Sequence, residues 1–478
     1  MMSETLKLYI DGQWVGSDDN DKITVINPAT ERPVSTLYKA TKKNLEDAVS
    51  SAEQAFKSWS RLSGGKRGKI LRKASELLSE RHDEIAKNLT LEQGKPLGEA
   101  KGEVHAAIQS FVWASEQATN INNINYPAVS EIYSQHTVFE PVGVVAAFTP
   151  WNFPAMLPAR KIANALAAGC CIIIKPAEET PATTIALAQA LHDAGLPAGV
   201  LNMVFGDPAQ ISEHLINAKS VRLVTLTGST AIGKLLARMA ADTLTPCILE
   251  LGGHAPVLVF DDVDVAHAAK MLASFKFRNA GQVCVSPSRF FIHKNIAEKF
   301  NEHFLDYASN LIVGDGIDAE TEMGPLAHER RLNDIDSLVS DAINKGANCI
   351  LGGKRTNRDG YFYQPTILTD VPDDAEMMQS EIFGPIAVLS TFDDTDDVIS
   401  RANNVSYGLA SYLFTASEDT IDYVKPRLEA GLVSINITTP ILENVPFGGV
   451  KESGYGLEGG EMGLHTFLNS KLIHKARP

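Results

Sequence analysis

The sequence predicts an α/β protein with mostly parallel sheets, spread over two or three domains. Three observations carry that expectation. The chain has 478 residues, more than one hydrophobic core ordinarily serves. Short continuous apolar runs such as Val142–Phe148 and Cys170–Ile174 alternate with helical stripes, the pattern of strands buried on both faces. Several runs end at a Gly, Pro or charged turn, which places ligand-binding loops at strand C-terminal ends.

Taken in order, residues 6–40 read as short strands: Leu6–Ile10 turning at Asp11-Gly12, then Ile23–Ile26 before Asn27-Pro28. From about Asn44 to Ala118 the spacing is helical, with Leu45, Val49, Ala52 and Phe56 on one face and Ile70, Leu71, Ala74 and Leu78 on another. Glu92-Gln-Gly-Lys-Pro-Leu97 breaks that run. Residues 122–140 alternate apolar with polar, as a half-exposed ribbon does, and the tail from Glu461 is suited to add a strand to it. Between them lie strand Val142–Phe148, helix Met156–Ala168, strand Cys170–Ile174, helix Pro181–Ala194, strand Val200–Phe205 and strand Val221–Leu226. A second series follows Ile248–Gly253: strand Pro256–Phe260, a helix from Val265 to Arg278, strand Arg289–His293, and further α/β pairs to about residue 436.

Composition excludes several classes of function. A net charge of −15 argues against nucleic acid or an anionic membrane as partner, since both need a basic surface. No run of about 18 apolar residues exists to span a membrane. The five cysteines (170, 171, 247, 284 and 349) have no CxxC spacing and form no Cys/His cluster, so no metal is expected. The N-terminus has neither a signal-peptide nor a transit-peptide pattern, and the expected location is the cytoplasm.

The chemistry centres on Phe275-Lys-Phe-Arg-Asn-Ala-Gly-Gln-Val-Cys284. Gly281 frees the backbone so that the Val283 and Cys284 amides can turn toward a ligand of the sulfur; a thiolate there can attack a carbonyl and see its oxyanion held. A lone cysteine is by itself more often a buried structural one, so its company decides. Lys175, with Glu178 three residues on, closes a strand and suits ribose hydroxyls. Thr227-Gly228-Ser229 opens a helix, where N–H groups and the dipole favour a pyrophosphate, although an ordinary N-cap explains the pattern equally well. In Pro150-Trp-Asn-Phe-Pro154, Asn152 offers an amide N–H₂ to an oxyanion, or merely a turn bond. Glu250, between an apolar strand and two glycines, is placed for a raised pKa and for base work near neutrality. Glu381-Ile-Phe383 adds a carboxylate and a ring.

Together these stretches (PWNFP, KPAE, LTGST, LELGG, GQVC, EIFGP and Pro446-Phe-Gly-Gly449) resemble, in order and spacing, the NAD(P)-dependent aldehyde dehydrogenase superfamily along nearly the whole chain. The resemblance implies a Rossmann-like cofactor domain (1–121 and 141–250), an α/β catalytic domain (251–450) and a small β ribbon for oligomerisation (122–140 and 461–478). It implies Cys284 as nucleophile, Asn152 as oxyanion donor, Glu250 as hydrolytic base, and Lys175 among the catalytic set as well as in cofactor binding. NAD, with NADP as the alternative, is then held by Thr149, Pro150, Trp151, Lys175, Glu178, Gly206, Gly228, Ser229, Glu381 and Phe383. A homodimer or homotetramer is implied.

Arg160 and Arg278 narrow the substrate. Arginine forks onto carboxylates, and both positions match arginines in succinate-semialdehyde dehydrogenases, so the aldehyde is expected to carry a far-end carboxylate, with Phe153 and Phe447 lining its site. Leu251-Gly-Gly-His-Ala-Pro256 and Pro446–Gly456 look most like the 2-oxoglutarate semialdehyde branch. Two departures stand out. The loop 438–444 lacks the serine pair of many succinate-semialdehyde enzymes, and Ser286 replaces a second cysteine found in some relatives. Glu178 should repel a 2′-phosphate, which favours NAD. Arg289 is read as structural. A broad-specificity aldehyde dehydrogenase and a non-catalytic structural relative are the competing expectations.

Overall fold

A computed structural model describes residues 5–17, 21–127, 133–438 and 442–476. Two large sheets organise the chain. The first runs, edge to edge, Gly454–Tyr455, Cys247–Glu250, Val221–Thr227, Val144–Phe148, Cys171–Lys175, Leu201–Met203, Leu8–Ile10, Gln13–Val15. Its five strands from 247–250 to 201–203 pair in parallel, and both edges are antiparallel. One edge is the N-terminal hairpin, whose Asp11 and Gly12 both have positive φ, as a tight two-residue turn needs. Strand 201–203 is shorter than the apolar run 200–205 suggests, and the helix read to Arg278 stops at Phe277.

The second sheet has seven strands, Asn348–Leu351, Thr366–Thr369, Ile386–Phe392, Pro287–His293, Ala255–Val259, Ala410–Phe414 and Leu432–Ile435, all parallel but the first. Val257 and Val259 pack into one apolar cluster and Leu258 into another, on the opposite face. Burial on both faces is why these strands read as unbroken apolar runs. A separate antiparallel sheet pairs Leu468–Ala476 with Tyr133–Pro141 through nine register partners, Leu468 opposite Pro141 and Ala476 opposite Tyr133. No helix among the described residues is long and apolar enough to cross a membrane.

What positions the site is the junction of the two large sheets. Strand 247–250 of the first sheet ends at Glu250, and after only Leu251–His254 the chain enters the second sheet at Ala255. Loops leaving the C-terminal ends of first-sheet strands therefore meet loops that enter second-sheet strands.

Candidate active site

Those loops line one cleft of ≈ 450 Å³. From the first sheet come Pro150, Trp151 and Asn152, then Thr227, Gly228 and Ser229, then Glu250, Leu251 and Gly252. From the second come Cys284, Glu381 and Phe383, joined by His328, Arg330, Arg331 and Asp334. The volume falls within the roughly 300–1,000 Å³ usual for small-molecule sites.

The cysteine loop is built by backbone conformation. After helix Val265–Phe277, Asn279, Ala280 and Gly281 follow one another with positive φ. Such a run of left-handed residues costs free energy and persists only where surroundings enforce it. Here a Cβ on Gly281 would collide with the Gly384 carbonyl, and one on Gly253 with the carbonyl of Cys284 itself. The glycines of GQVC, LELGG and EIFGP thus let three loops approach to backbone contact. Asn279 ties the turn down: its N–H donates to Glu99 Oε2 at 2.9 Å, and its Nδ2 donates to the carbonyls of Asn152 and Gln282, both at 3.2 Å.

Cys284 is partly exposed to the cleft, yet its thiol is pushed up to about 12, by burial first and then by the carboxylates of Glu381 and Glu250. The amides of Val285 and Cys284 pull the other way without prevailing. The sequence pointed to the amides of Val283 and Cys284, of which Val285 takes the place of Val283; the opposing carboxylates come from segments 34 residues before it and 97 after it. Glu250 is buried, and neither carboxyl oxygen meets a hydrogen-bond partner among the described residues. Burial, then the neighbouring Glu458, hold it well above the usual carboxylate range, against Lys161 and Arg160. Glu458 forms a buried ion pair with Lys161, and its backbone brackets Phe447 through two 2.8 Å hydrogen bonds. Asn152, also buried, donates from Nδ2 to the Gln282 carbonyl at 3.1 Å, leaving its second amide hydrogen for a ligand.

Next to the thiol the cleft is shaped for a flat, polar ligand. Trp151 meets His328 (ring centroids 5.0 Å) and Phe383 (5.6 Å) edge to face. Ser229 caps helix Thr230–Ala241, accepting from the Ile232 amide at 3.4 Å, and the Thr227 hydroxyl before it is buried without a partner among the described residues. Glu381 accepts the Gly253 amide at 2.9 Å on one oxygen; the other lies 2.8 Å from where a Cβ on Gly252 would stand. Burial raises this carboxyl to about 7, opposed by that amide and Arg331. A helix N-terminus, an orphaned hydroxyl, a carboxylate and two aromatic rings match the pyrophosphate, ribose and nicotinamide of a dinucleotide.

Other predicted residues lie outside the lining of this cleft. Lys175 is locked to both oxygens of Glu178, at 2.6 and 2.7 Å, and Glu178 also accepts the Gly206 amide at 3.2 Å. Thr149 donates its N–H to the Lys175 carbonyl at 3.2 Å. Phe153 heads a small apolar cluster with Leu157 and Val283; the Arg278 guanidinium stands 5.6 Å from its ring centroid. Arg278 lines a second cavity of ≈ 330 Å³ with Glu99, Phe275, Tyr307, Glu322 and Thr438, which flanks the loop singled out for lacking serines. Residues 439–441 of that loop lie outside the described residues. Arg160 is 4 % exposed, and its Nε and Nη2 are buried with no partner among the described residues. Arg289 donates to the carbonyls of His254, Arg401 and Ala402, a structural pattern. Missed by the sequence were His328, Arg330, Arg331 and Asp334. They sit on and just before helix Glu329–Asn344, whose start carries no glycine-rich signal, although His328 does cap it.

The family profile described as "Aldehyde dehydrogenase family" matches residues 14–473. The chain belongs to the aldehyde dehydrogenase family. It is 42 % identical over 464 residues to the mitochondrial succinate-semialdehyde dehydrogenase of Arabidopsis thaliana, covering 97 % of this chain and 88 % of that one. It is 39 % identical to the 3-sulfolactaldehyde dehydrogenase of Pseudomonas putida, covering 97 % and 96 %. The crystal structure of succinate-semialdehyde dehydrogenase from Burkholderia pseudomallei superposes with a TM-score of 0.97 at 38 % identity, covering 99 % of this chain and 98 % of that one. As an aldehyde dehydrogenase, the protein is an oxidoreductase whose cofactor is NAD or NADP.

Proposed function

We propose that the enzyme oxidises an aldehyde carrying a carboxylate at its far end, succinate semialdehyde or 2-oxoglutarate semialdehyde, to the dicarboxylic acid. The observation that carries this reading is Arg160. A guanidinium with two buried nitrogens that have no partner among the described residues is costly to maintain, and a bound carboxylate is the group that satisfies it. Arg160 is also close enough to Glu250 to lower that carboxyl's pKa, so the anion site lies beside the chemistry. Arg278, over Phe153, supplies the second cation.

In this reading Cys284 Sγ releases its proton to solvent and bonds to the aldehyde carbon. The Asn152 amide and the Cys284 N–H hold the oxyanion of the resulting thiohemiacetal. The chemistry the dinucleotide supplies when bound is acceptance of the hydride, which leaves a thioester on Cys284. Glu250, as carboxylate, takes a proton from the water that cleaves it, releasing the acid and the thiol. Glu178 and Lys175 would hold the adenosine ribose, Ser229 and Gly228 the pyrophosphate, and Glu381 the nicotinamide ribose beside Phe383 and Trp151. Thr149, Pro150 and Gly206 complete that wall. Glu178, a carboxylate where a 2′-phosphate would lie, favours NAD over NADP. The division into cofactor domain, catalytic domain and ribbon is part of this proposal. So is a homo-oligomer formed through the sheet of 133–141 and 468–476, on which Tyr133 and Leu472 are exposed.

A sulfonate-bearing aldehyde is the second reading, favoured by the relative named for 3-sulfolactaldehyde; it would meet the same guanidiniums. The test compares kcat/KM with NAD for succinate semialdehyde, 2-oxoglutarate semialdehyde, 3-sulfopropanal and hexanal, on wild type and Arg278→Leu. A carboxylated substrate should win by about tenfold or more, a margin of ~1.4 kcal/mol that the variant loses. Hexanal performing equally well removes the clamp; 3-sulfopropanal winning transfers it to sulfonates.

A further inference from the structure

The break Glu92-Gln-Gly-Lys-Pro-Leu97 interrupts two helices without any role in the reading above, yet three of its side chains reach far across the fold. Glu92 accepts the amides of Ala182 and Thr183, at 2.8 and 3.2 Å. Gln93 donates to Asn279 Oδ1 at 2.8 Å. Lys95 is 1 % exposed, and its ammonium has three neighbours that use its three hydrogens: Glu103 Oε2 at 2.6 Å, the Asn152 carbonyl at 2.8 Å, and the face of Phe153, 4.1 Å from the centroid. The other oxygen of Glu103 accepts the amides of Ala155 (2.8 Å) and Met156 (3.2 Å).

We propose that Lys95 and Glu103 form a buried ionic strut that positions Asn152 as the oxyanion donor. The pair grips the Asn152 loop at two points: Lys95 takes the carbonyl of Asn152 in the middle of PWNFP, and Glu103 takes the two amides that open helix Met156–Ala168. That stretch, Trp151–Ala155, has no regular secondary structure to hold it. The same Asn152 carbonyl accepts from Asn279, and the Asn152 side chain donates to Gln282, so the strut also sets the loop against the Cys284 turn. An oxyanion donor works only if its amide hydrogen is preorganised within hydrogen-bond distance of the developing charge. The helix so anchored is the one that carries Arg160. Removing one member of a buried pair leaves an uncompensated charge, so the informative variant removes both. Neither Lys95 nor Glu103 lines the cleft; they are positioning residues.

The assignment rests on the reading of Asn152 as oxyanion donor, and the experiment separates the two. Steady-state kcat and the NAD dissociation constant, from tryptophan fluorescence, are measured for wild type, Lys95→Met/Glu103→Gln, Asn152→Ala and the triple variant. Glu103→Gln alone, whose amide oxygen can still accept from Ala155 and Met156 but which loses the acceptor for Lys95, is carried alongside in case the double variant folds poorly; it should lower kcat in the same direction. The strut predicts that the double variant loses about tenfold or more in kcat with NAD affinity kept within about twofold. In the Asn152→Ala background the same change should cost less than about threefold, because the group it positions is gone. If the factors instead multiply in full, or the double variant loses less than about threefold, the strut is refuted while the Asn152 reading stands. If Asn152→Ala itself costs less than about threefold, both are refuted.

Discussion

Replacing Arg160 by Leu should leave the free enzyme as stable as before or more so, while damaging its preference for acidic aldehydes. The guanidinium has two buried nitrogens without partners among the described residues. Each unsatisfied buried polar group costs about 1–3 kcal/mol, so Leu, shorter than Arg but apolar, relieves more than its lost contacts forfeit. In the complex the balance reverses, because a charge-assisted pair with the substrate is worth about 1.5–3 kcal/mol. Since about 1.4 kcal/mol is tenfold, kcat/KM for succinate semialdehyde should fall roughly 10- to 150-fold. One correction enters. Arg160 helps to lower the pKa of Glu250, so its loss shifts base activity to higher pH for every substrate. The diagnostic quantity is therefore the ratio of kcat/KM for succinate semialdehyde to that for hexanal, taken over a pH series, together with the thermal midpoint of the free enzyme. A midpoint lowered by several degrees with an unchanged ratio would refute the reasoning and make Arg160 a structural cation.

Further consequences follow from the same site. The pKa values of Glu250 and Cys284 are both raised, so their reactive anions are depleted below them; kcat/KM and the rate of iodoacetamide alkylation of the free enzyme should climb with pH through the alkaline range, and a flat profile from pH 6 to 9 (roughly the working range of a general base) would contradict this. Glu250→Gln should still give a first burst of reduced cofactor but slow turnover by about 10²- to 10⁴-fold, seen by stopped-flow absorbance. Glu178→Thr should narrow the gap in kcat/KM between NAD and NADP by removing the carboxylate proposed to repel a 2′-phosphate; an unchanged gap would place discrimination elsewhere. Gly281→Ala, with φ +71 and a Cβ driven onto the Gly384 carbonyl, should cost more than about 3 kcal/mol and yield little soluble protein; normal thermal stability would show that the turn can relax.

The legibility of this chain divides along physical lines. Both sheets could be read because their strands are buried on two faces and give unbroken apolar runs, whereas amphipathic helices carry the period of 3.6. Edges of elements were lost where tertiary pairing ends a strand early, as at Val204 and Phe205, or where a positive-φ turn stops a helix, as at Arg278. Cys284, Glu250 and Asn152 each had a local rationale (a glycine beside a nucleophile, a carboxyl after an apolar strand, a rigid proline loop), but only the order and spacing of the whole motif set singled them out. What surrounds them did not stand out. The depression of thiol acidity at Cys284 comes first from burial and then from Glu381, 97 residues on, and the clamp on Asn152 comes from Lys95, 57 residues before it. Pairings at such separation leave no periodicity or spacing to detect. Lys95 registered only as the end of a helix.

The central claim is that Cys284 carries an acyl group derived from an acidic aldehyde. Glu250→Gln enzyme, mixed with succinate semialdehyde and NAD, quenched in acid and digested, tests it directly by peptide mass spectrometry. The account predicts a succinyl thioester on the peptide that contains Cys284, absent when NAD is omitted. No acyl adduct, or one on Cys247 or Cys349 in its place, would contradict it.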